Sequence, residues 1–430
     1  MSSTSSESRT LVVESGSSSE TDVHFLQNAV QWMDDTANSN DIQHRRYVNR
    51  EREVGHQILL NDWFVDEPEY DDVYFRKTYR MEKTMFLKSV NDIQANFPYF
   101  QEGFDARRRR SFRTIQKVCS AVRQLATGNP PDEYNEYLHM AARIGRESLD
   151  HFCDAIIKLY GQEYLRRPTQ HDVARIFEAH EQHHHMPGML GSIDCTHVEW
   201  LNCPRHLRGQ YTRGDHGVPT IMLEITASQD TWIWHVYFGA PGSNNDINVL
   251  NQSDLYLTER NGTTSDTSFV VNGREYRRGY YLTDNIYSKY STFVKAYPYP
   301  TDPKEKRFKK LQEAARKDVE RAFRLLKGKW KILRRPLRPM IKDKIEQYVY
   351  AACILHNMII KGDGRAISPV HIMDPPVQPV FDYSVLGELL NEDIHHCLRY
   401  DLTEHVFILS KRRIKVVGGV YKNHKDDISI

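Results

Sequence analysis

No Cys-x-x-Cys pair occurs in this chain, whose six cysteines (Cys119, Cys153, Cys195, Cys203, Cys353 and Cys397) are widely spread. That spacing argues against a zinc site or a disulfide framework and fits a reducing compartment. No apolar run approaches the roughly 20 residues that a membrane span needs, so no membrane role is expected. The opening Met-Ser-Ser-Thr-Ser-Ser-Glu has neither a basic start nor an apolar stretch, and is not read as a secretion signal. A Gly-rich phosphate loop and a Gly-x-Ser-x-Gly elbow are also missing, which argues against a nucleotide triphosphatase or a serine hydrolase. Excess charge of one sign is lacking overall, with 58 Lys and Arg against 57 Asp and Glu.

That balance hides an asymmetry. Residues 301–340 hold fifteen Lys and Arg against five Asp and Glu, a local +10 that leaves −9 for the rest. A second basic block contains Arg107, Arg108, Arg109, Arg110 and Arg113. Local charge decides where a polyanion sits, so balanced totals do not exclude nucleic acid. The plainer reading of either block is a solvated helix face. With 430 residues, 40% hydrophobic and 27% charged, the chain has room for two or three compact domains. Residues 1–60 read as a mostly disordered Ser- and Glu-rich tail, with one short amphipathic helix around Phe25 to Met33. Residues 61–186 read as a helical region. Within it, helices at Ser111–Ala126, Asp132–Ala142 and Glu147–Tyr160, broken at Thr127–Pro131 and Arg143–Gly145, resemble a DNA-contacting helix-turn-helix. His180 and His183–His185 lie in a polar segment read as a solvated loop.

From residue 187 to 361 the pattern changes. Ser192–Trp200, Pro219–Ser228 and Thr231–Gly239 read as three strands, Asp246–Glu259 as a helix, Tyr280–Asn285 and Phe293–Tyr297 as further strands. Pro303–Lys329 follows as a long basic helix with one apolar face, and Lys342–Lys361 as a second helix. Residues 362–430 form a proline-containing tail, helical over Tyr383–Leu409 and strand-like over Lys411–Val417. Three strands, a helix, two strands and a long helix is the order of the ribonuclease-H-like α/β fold of many polynucleotidyl transferases. That fold carries one acid on the first strand, one at the end of the fourth and one on the late helix. Here those places are Asp194, Asp284 and Glu320, the last two separated by 35 residues.

Alone, a strand-end aspartate is an ordinary turn former and a helical glutamate an ordinary ion-pair partner. Together, such carboxylates can hold Mg²⁺ or Mn²⁺, which need oxygen ligands rather than His or Cys. A pair of ions about 3.5–4 Å apart suits displacement at a phosphodiester. Glu320 stands among Arg316, Lys317, Arg321, Arg324 and Lys327, more positive charge than one ion pair needs but suited to DNA phosphates. His356-Asn357, on an otherwise apolar helix, reads as a satisfied core pair.

Several motifs in register make the chain recognisable. They are Pro-Gly-Met-Leu-Gly-Ser-Ile-Asp-Cys-Thr-His (187–197), Trp-Ile-Trp-His-Val-Tyr-Phe-Gly-Ala-Pro-Gly-Ser-Asn-Asn-Asp-Ile-Asn-Val-Leu (232–250) and Gly-Tyr-Tyr-Leu-Thr-Asp-Asn-Ile-Tyr (279–287). Arg-Lys-Asp-Val-Glu-Arg-Ala-Phe (316–323) and Ile-Leu-His-Asn-Met-Ile (354–359) complete them. Over roughly residues 73–410 the chain resembles the plant PIF/Harbinger superfamily of DDE transposases and their domesticated relatives. The resemblance implies a nuclear, metal-dependent endonuclease and strand transferase that acts on the terminal inverted repeats of an element and on a target site. Asp194, Asp284 and Glu320 would be its catalytic triad and Asp246 an additional acid near the metals. It also implies a separate Myb-like DNA-binding partner, and a homo-oligomer is compatible with it. A domesticated chromatin or transcription regulator that binds without cutting is the alternative. The chain departs from the family at Asn285 and Ser288, where Gly and Pro are usual, and at Arg324, where Gly is usual.

Overall fold

The computed structural model describes residues 27–28, 30–31, 50–104, 108–215, 217–255, 267–373 and 383–423. Met1–Arg50 forms one unit, of which the described residues 27–28 and 30–31 are helical. Glu51–Ile430 forms the other. It starts with helices α1 (Arg52–Trp63), α2 (Asp72–Tyr79), α3 (Lys83–Asn96), α4 (Thr114–Thr127), α5 (Ala142–Tyr164) and α6 (Gln170–His184). Then come β1 (Met189–Glu199), β2 (Thr220–Ala227), β3 (Ile233–Pro241), α7 (Asp246–Gln252) and a β4–β5 hairpin (Phe269–Val271, Arg274–Tyr276). The chain continues with β6 (Tyr280–Leu282), β7 (Phe293–Val294), α8 (Pro303–Lys329), α9 (Lys342–Gly362), α10 (Tyr383–Leu389) and α11 (Glu392–Asn423). The boundary read at residue 60 therefore falls inside α1.

Five strands make a mixed sheet in the order β3-β2-β1-β6-β7. β1 pairs antiparallel with β2, and β2 with β3. On its other side β1 runs parallel to β6, and β6 to β7. Every residue of β2, Thr-Ile-Met-Leu-Glu-Ile-Thr-Ala, is buried, as expected of an inner strand covered on both faces. α8 starts where Asp302 accepts from the Lys304 amide at 2.6 Å and Pro303 presets the first helical φ. Its buried stripe, Phe308, Gln312, Ala315, Val319, Ala322 and Leu326, lies against the sheet, and Ser192 Oγ donates to Ala315 O at 3.4 Å. One apolar core runs from Leu59 and Phe86 through Phe152 and Leu355 to Trp200, Leu223 and Val319, so the helices and the sheet share it. Trp200, Trp232, Trp234 and Trp330 are all buried.

Two expectations for the helical region are corrected. In place of a helix over Asp132–Ala142 there is a single 3-10 turn, Pro131–Tyr134, followed by His139 in the left-handed region at φ 50°. Arg143–Gly145 is not a break but the first turn of α5. Gly145 sits against Pro131, where a Cβ would come within 2.7 Å of the ring, so the glycine serves close packing. The tail differs too: Lys411–Val417 is part of α11, its β-branched residues overridden by the helix they continue.

His356 and Asn357 are buried on α9 as expected, but the pair is not fully satisfied, because His356 Nδ1 has no hydrogen-bond partner among the described residues. His356 Nε2 lies 3.0 Å from Thr231 O. Asn357 accepts from Ile233 N at 2.9 Å and donates to Ile233 O and Tyr164 O at 2.7 and 2.6 Å. It thereby satisfies the backbone of the sheet's edge strand. Asn357→Ala leaves three buried polar groups unpaired and is expected to cost about 2–4 kcal/mol, read as a lower urea midpoint at unchanged slope.

Candidate active site

The site is built from four positions. Asp194 lies in the middle of β1, on the side of the strand that faces α8. Its Oδ1 accepts from the Cys195 amide at 2.9 Å and its Oδ2 is 3.5 Å from Arg316 Nη1. Asp284 follows β6 by two residues, and its Oδ1 accepts from the Ile286 amide at 3.0 Å, closing a tight Asx-type turn. Asp246 is the first residue of α7, behind Asn245, whose side chain accepts from Asn248 N at 2.9 Å. Glu320 lies on α8 one turn after Arg316, with its Oε1 3.3 Å from Arg316 Nη2. Arg316 is thus seated between Asp194 and Glu320.

The electrostatics bring the three aspartates into one field. Burial pushes the Asp194 carboxyl up to about 6, opposed by Arg316 and reinforced by Asp284 and Asp246. Asp246 is raised by burial and then by Asp284, with buried Glu224 adding to the effect. Glu224 itself is fully buried on β2 opposite Cys195, and His235 Nε2 lies 3.5 Å from its Oε1. Like charges are crowded here at a cost that Arg316 only partly offsets.

Among the described residues, no group of three or more His, Cys, Asp or Glu side chains is arranged so that it could hold a metal ion. The donor chemistry nevertheless fits a hard divalent cation: the side chains are carboxylates alone, beside a guanidinium that pairs with two of them. Asp194, Asp284 and Glu320, with Asp246 beside them, are the residues that would hold it.

The basic residues divide by role. Lys317 and Arg324 are exposed on α8. Arg321 donates to Asp318 Oδ1 at 2.6 Å and to Gln229 O at 3.1 Å. Lys327 is half-buried, lowered to about 8 by burial, and donates to Thr196 Oγ1 at 2.9 Å and His197 O at 3.0 Å, tying α8 to β1. In the upstream block Arg113 pairs with Glu53 at 3.2 Å and with Glu102, while Arg110 lies 3.6 Å from Glu102. Arg108 is exposed and Arg109 half-buried; Arg107 lies outside the described residues.

Sequence reasoning missed the groups that hold this site in place. Gln312 of α8 donates to Thr283 O at 3.0 Å and Val294 O at 3.1 Å, just before Asp284. Lys295 donates to Asn285 O at 3.3 Å and to Tyr287 O, just after it. The signal for Gln312 was a lone amide on the buried stripe of α8; for Lys295, in a two-residue strand's wake, there was none. The histidine reading also needs correcting: His180, His183 and His184 lie on α6, and only His185, at its C-cap, is outside the helix. His180 and His184 stand one turn apart on α6, the spacing that marks a shared helix face. Buried His180 meets Met189 O at 2.7 Å and the Gln229 amide at 3.0 Å, and His184 Nε2 meets buried Asp318 Oδ2 at 2.6 Å.

Known sequences resemble the chain in part. Residues 162–367 match the family described as plant transposon protein, and residues 55–94 match a domain of unknown function. Over the first of these stretches, a little under half of the chain, the sequence is similar to plant transposon proteins. A protein named ALP1-like from Arabidopsis thaliana is 22% identical over 342 residues, 78% of this chain and 82% of that protein. HARBI1 of Xenopus laevis, which carries a provisional nuclease name, is 26% identical over 187 residues, 43% of this chain and 49% of the relative. The chain thus spans about half the length of that relative. The Arabidopsis protein named antagonist of like heterochromatin protein 1 is 22% identical over 305 residues, 68% of this chain and 74% of that protein. No solved structure matches the chain. Among the described residues no helix is long and apolar enough to cross a membrane.

Proposed function

We propose that this chain is a DNA endonuclease and strand transferase of the PIF/Harbinger type, with a ribonuclease-H-like catalytic fold. The observation that carries the reading is the joint placement of its acids. Asp194 on the central strand and Glu320 on the covering helix share one arginine, and Asp284, just beyond the parallel neighbour, acts electrostatically on Asp194. Mg²⁺ or Mn²⁺ bound by these acids would activate the attacking oxygen and stabilise the leaving one.

The chain's own residues do the rest. The Cys195 and Ile286 amides orient the carboxylates of Asp194 and Asp284. Arg316 balances charge between Asp194 and Glu320 and is placed to turn toward a phosphate. Lys317 and Arg324, with Arg108 far upstream, are exposed and make no ion pair among the described residues, and they would position the DNA backbone without reading sequence. In the first reaction a water oxygen bonds to phosphorus and the P–O3′ bond breaks, leaving a 3′-hydroxyl. In the second that hydroxyl bonds to a target phosphorus and displaces its 3′-oxygen. The substrates are terminal inverted repeats and a target duplex, the setting is the nucleus, and a Myb-like protein supplies end recognition.

The test uses the purified chain, with and without such a partner, and DNA bearing terminal inverted repeats. Nicking should require Mg²⁺ or Mn²⁺ and fall by about 10³-fold or more in Glu320→Gln, the scale for losing a group that acts in the transition state. Nicking that survives chelation or this substitution overturns the proposal. A second reading, binding to chromatin without cleavage, is favoured by the seating of Arg316 between the acids and by the name of the heterochromatin-antagonist relative. It predicts DNA or chromatin binding indifferent to Glu320→Gln and to metal.

A further inference from the structure

A cleft of about 500 Å³ lies between the start of α5, the turn after α4 and the loop 332–341. It is separate from the acids. Leu337 N donates to Glu199 O at 2.8 Å at the far end of β1, five residues from Asp194 and so about 16 Å along the strand. Its volume falls within the range of ligand and anchor pockets. The buried part is apolar, with Leu149, Leu337 and Tyr348 against it. Met340 and Ile341 stand at its lip, 66% and 57% exposed.

The rim is positive. Arg146, Arg335 and Arg338 are exposed on it and make no ion pair among the described residues. Arg143 and Lys344 are already engaged by Glu147 and Asp150. The first turns of α5 and α9 also open onto the cleft, and neither helix start is capped by a side chain, so both leave amide donors for an anion. A nucleic-acid backbone fits this surface poorly. It would leave the apolar lip uncovered and would set its phosphates against Asp132, Glu147 and Asp150, which also line the cleft. A peptide can place its carboxylates on the arginines alone.

We propose that this cleft docks a short acidic segment of a partner protein, with a bulky apolar side chain inside it and carboxylates on Arg146, Arg335 and Arg338. Apolar anchors in a pocket with a charged rim are the usual division between affinity and orientation at protein interfaces. The site does not depend on the nuclease reading and leaves the acids accessible while it is occupied.

The experiment pans the full-length chain against a randomised peptide display library, then measures the enriched peptide by fluorescence anisotropy. Enriched sequences should combine Asp or Glu with Leu, Phe or Trp. The double variant Arg335→Glu, Arg338→Glu should bind the peptide at least about tenfold more weakly, as expected for losing two charge-assisted contacts. Met340→Ser, which changes no charge, should weaken it independently of any folding defect, with thermal melting run alongside. No enrichment, enrichment without acidic residues, or equal binding by both variants overturns the proposal. So does a short DNA duplex that competes with the peptide and loses its own affinity in the charge-reversed variant, since the cleft would then be a DNA surface.

Discussion

Asp194→Asn is expected to abolish nicking and, in the same protein, to raise stability by about 1–3 kcal/mol at pH 7. The loss of nicking follows from removing a proposed metal ligand, and the stability gain from the carboxyl being pushed up to about 6 by burial and by its acidic neighbours. A raised carboxyl binds its proton more tightly folded than unfolded. The stability it contributes is therefore complete below the unfolded value near 4 and is lost as pH rises through about 6. Above that the ionised group is a standing cost. Asparagine keeps the oxygen that accepts from the Cys195 amide and removes the charge. Chemical denaturation of both proteins between pH 3.5 and 7.5 checks this. Their stabilities should lie close together at the acid end and separate between pH 4 and 6, with the variant on top. Parallel curves, or a less stable variant at pH 7, would mean that Arg316 fully neutralises the site.

Lys295→Met should lower nicking by about 10–100-fold while its melting temperature stays within a few degrees, because the methionine fills similar space in a buried position. Lys295 and Gln312 hold the backbone on either side of Asp284. Gln312 belongs to the same helix as Glu320, so the pair also fixes where two acids from different elements stand relative to each other. Loosening that turn should reduce kcat rather than raise KM, and weaken Mn²⁺ binding followed by electron paramagnetic resonance. Lys295→Arg, which keeps a cationic donor, should restore part of both. If KM alone rises, Lys295 contacts DNA and is not a support for Asp284. The clamp also gives a reason why Asn285 and Ser288 can stand where relatives have Gly and Pro: the turn is held from outside.

Much of this architecture was legible in the chain. The Asp302-Pro303 start and the apolar stripe bounded α8 correctly, and β-branched alternation located the three antiparallel strands. Asp284 does follow a strand and Glu320 does lie on the late helix, but Asp194 falls in mid-strand because β1 starts at Met189, three residues before the reading put it. What could not be read were contacts made across the sequence. The segment 132–142 has helical composition, yet Pro130, Pro131 and the left-handed His139 reduce it to one turn. His180 is polar in type but bridges the strand start and the β2–β3 turn, so it is buried. Lys295 carries no local sign of the two carbonyls it serves. Arg113 and Lys327 resemble phosphate-binding cations until their partners Glu53, Glu102, Thr196 and His197 are seen.

The seating of Arg316 bears on how this chain could age. An arginine already paired with Asp194 and Glu320 would let the polypeptide fold before any ion arrives, so on the proposed reading folding and cutting come under separate selection. If Asp194→Asn proves the more stable protein, the aspartate costs the fold something that asparagine would not. Drift in a lineage that had stopped cutting DNA would therefore run downhill toward an amide at position 194. The fold alone offers no reason for the aspartate still found there.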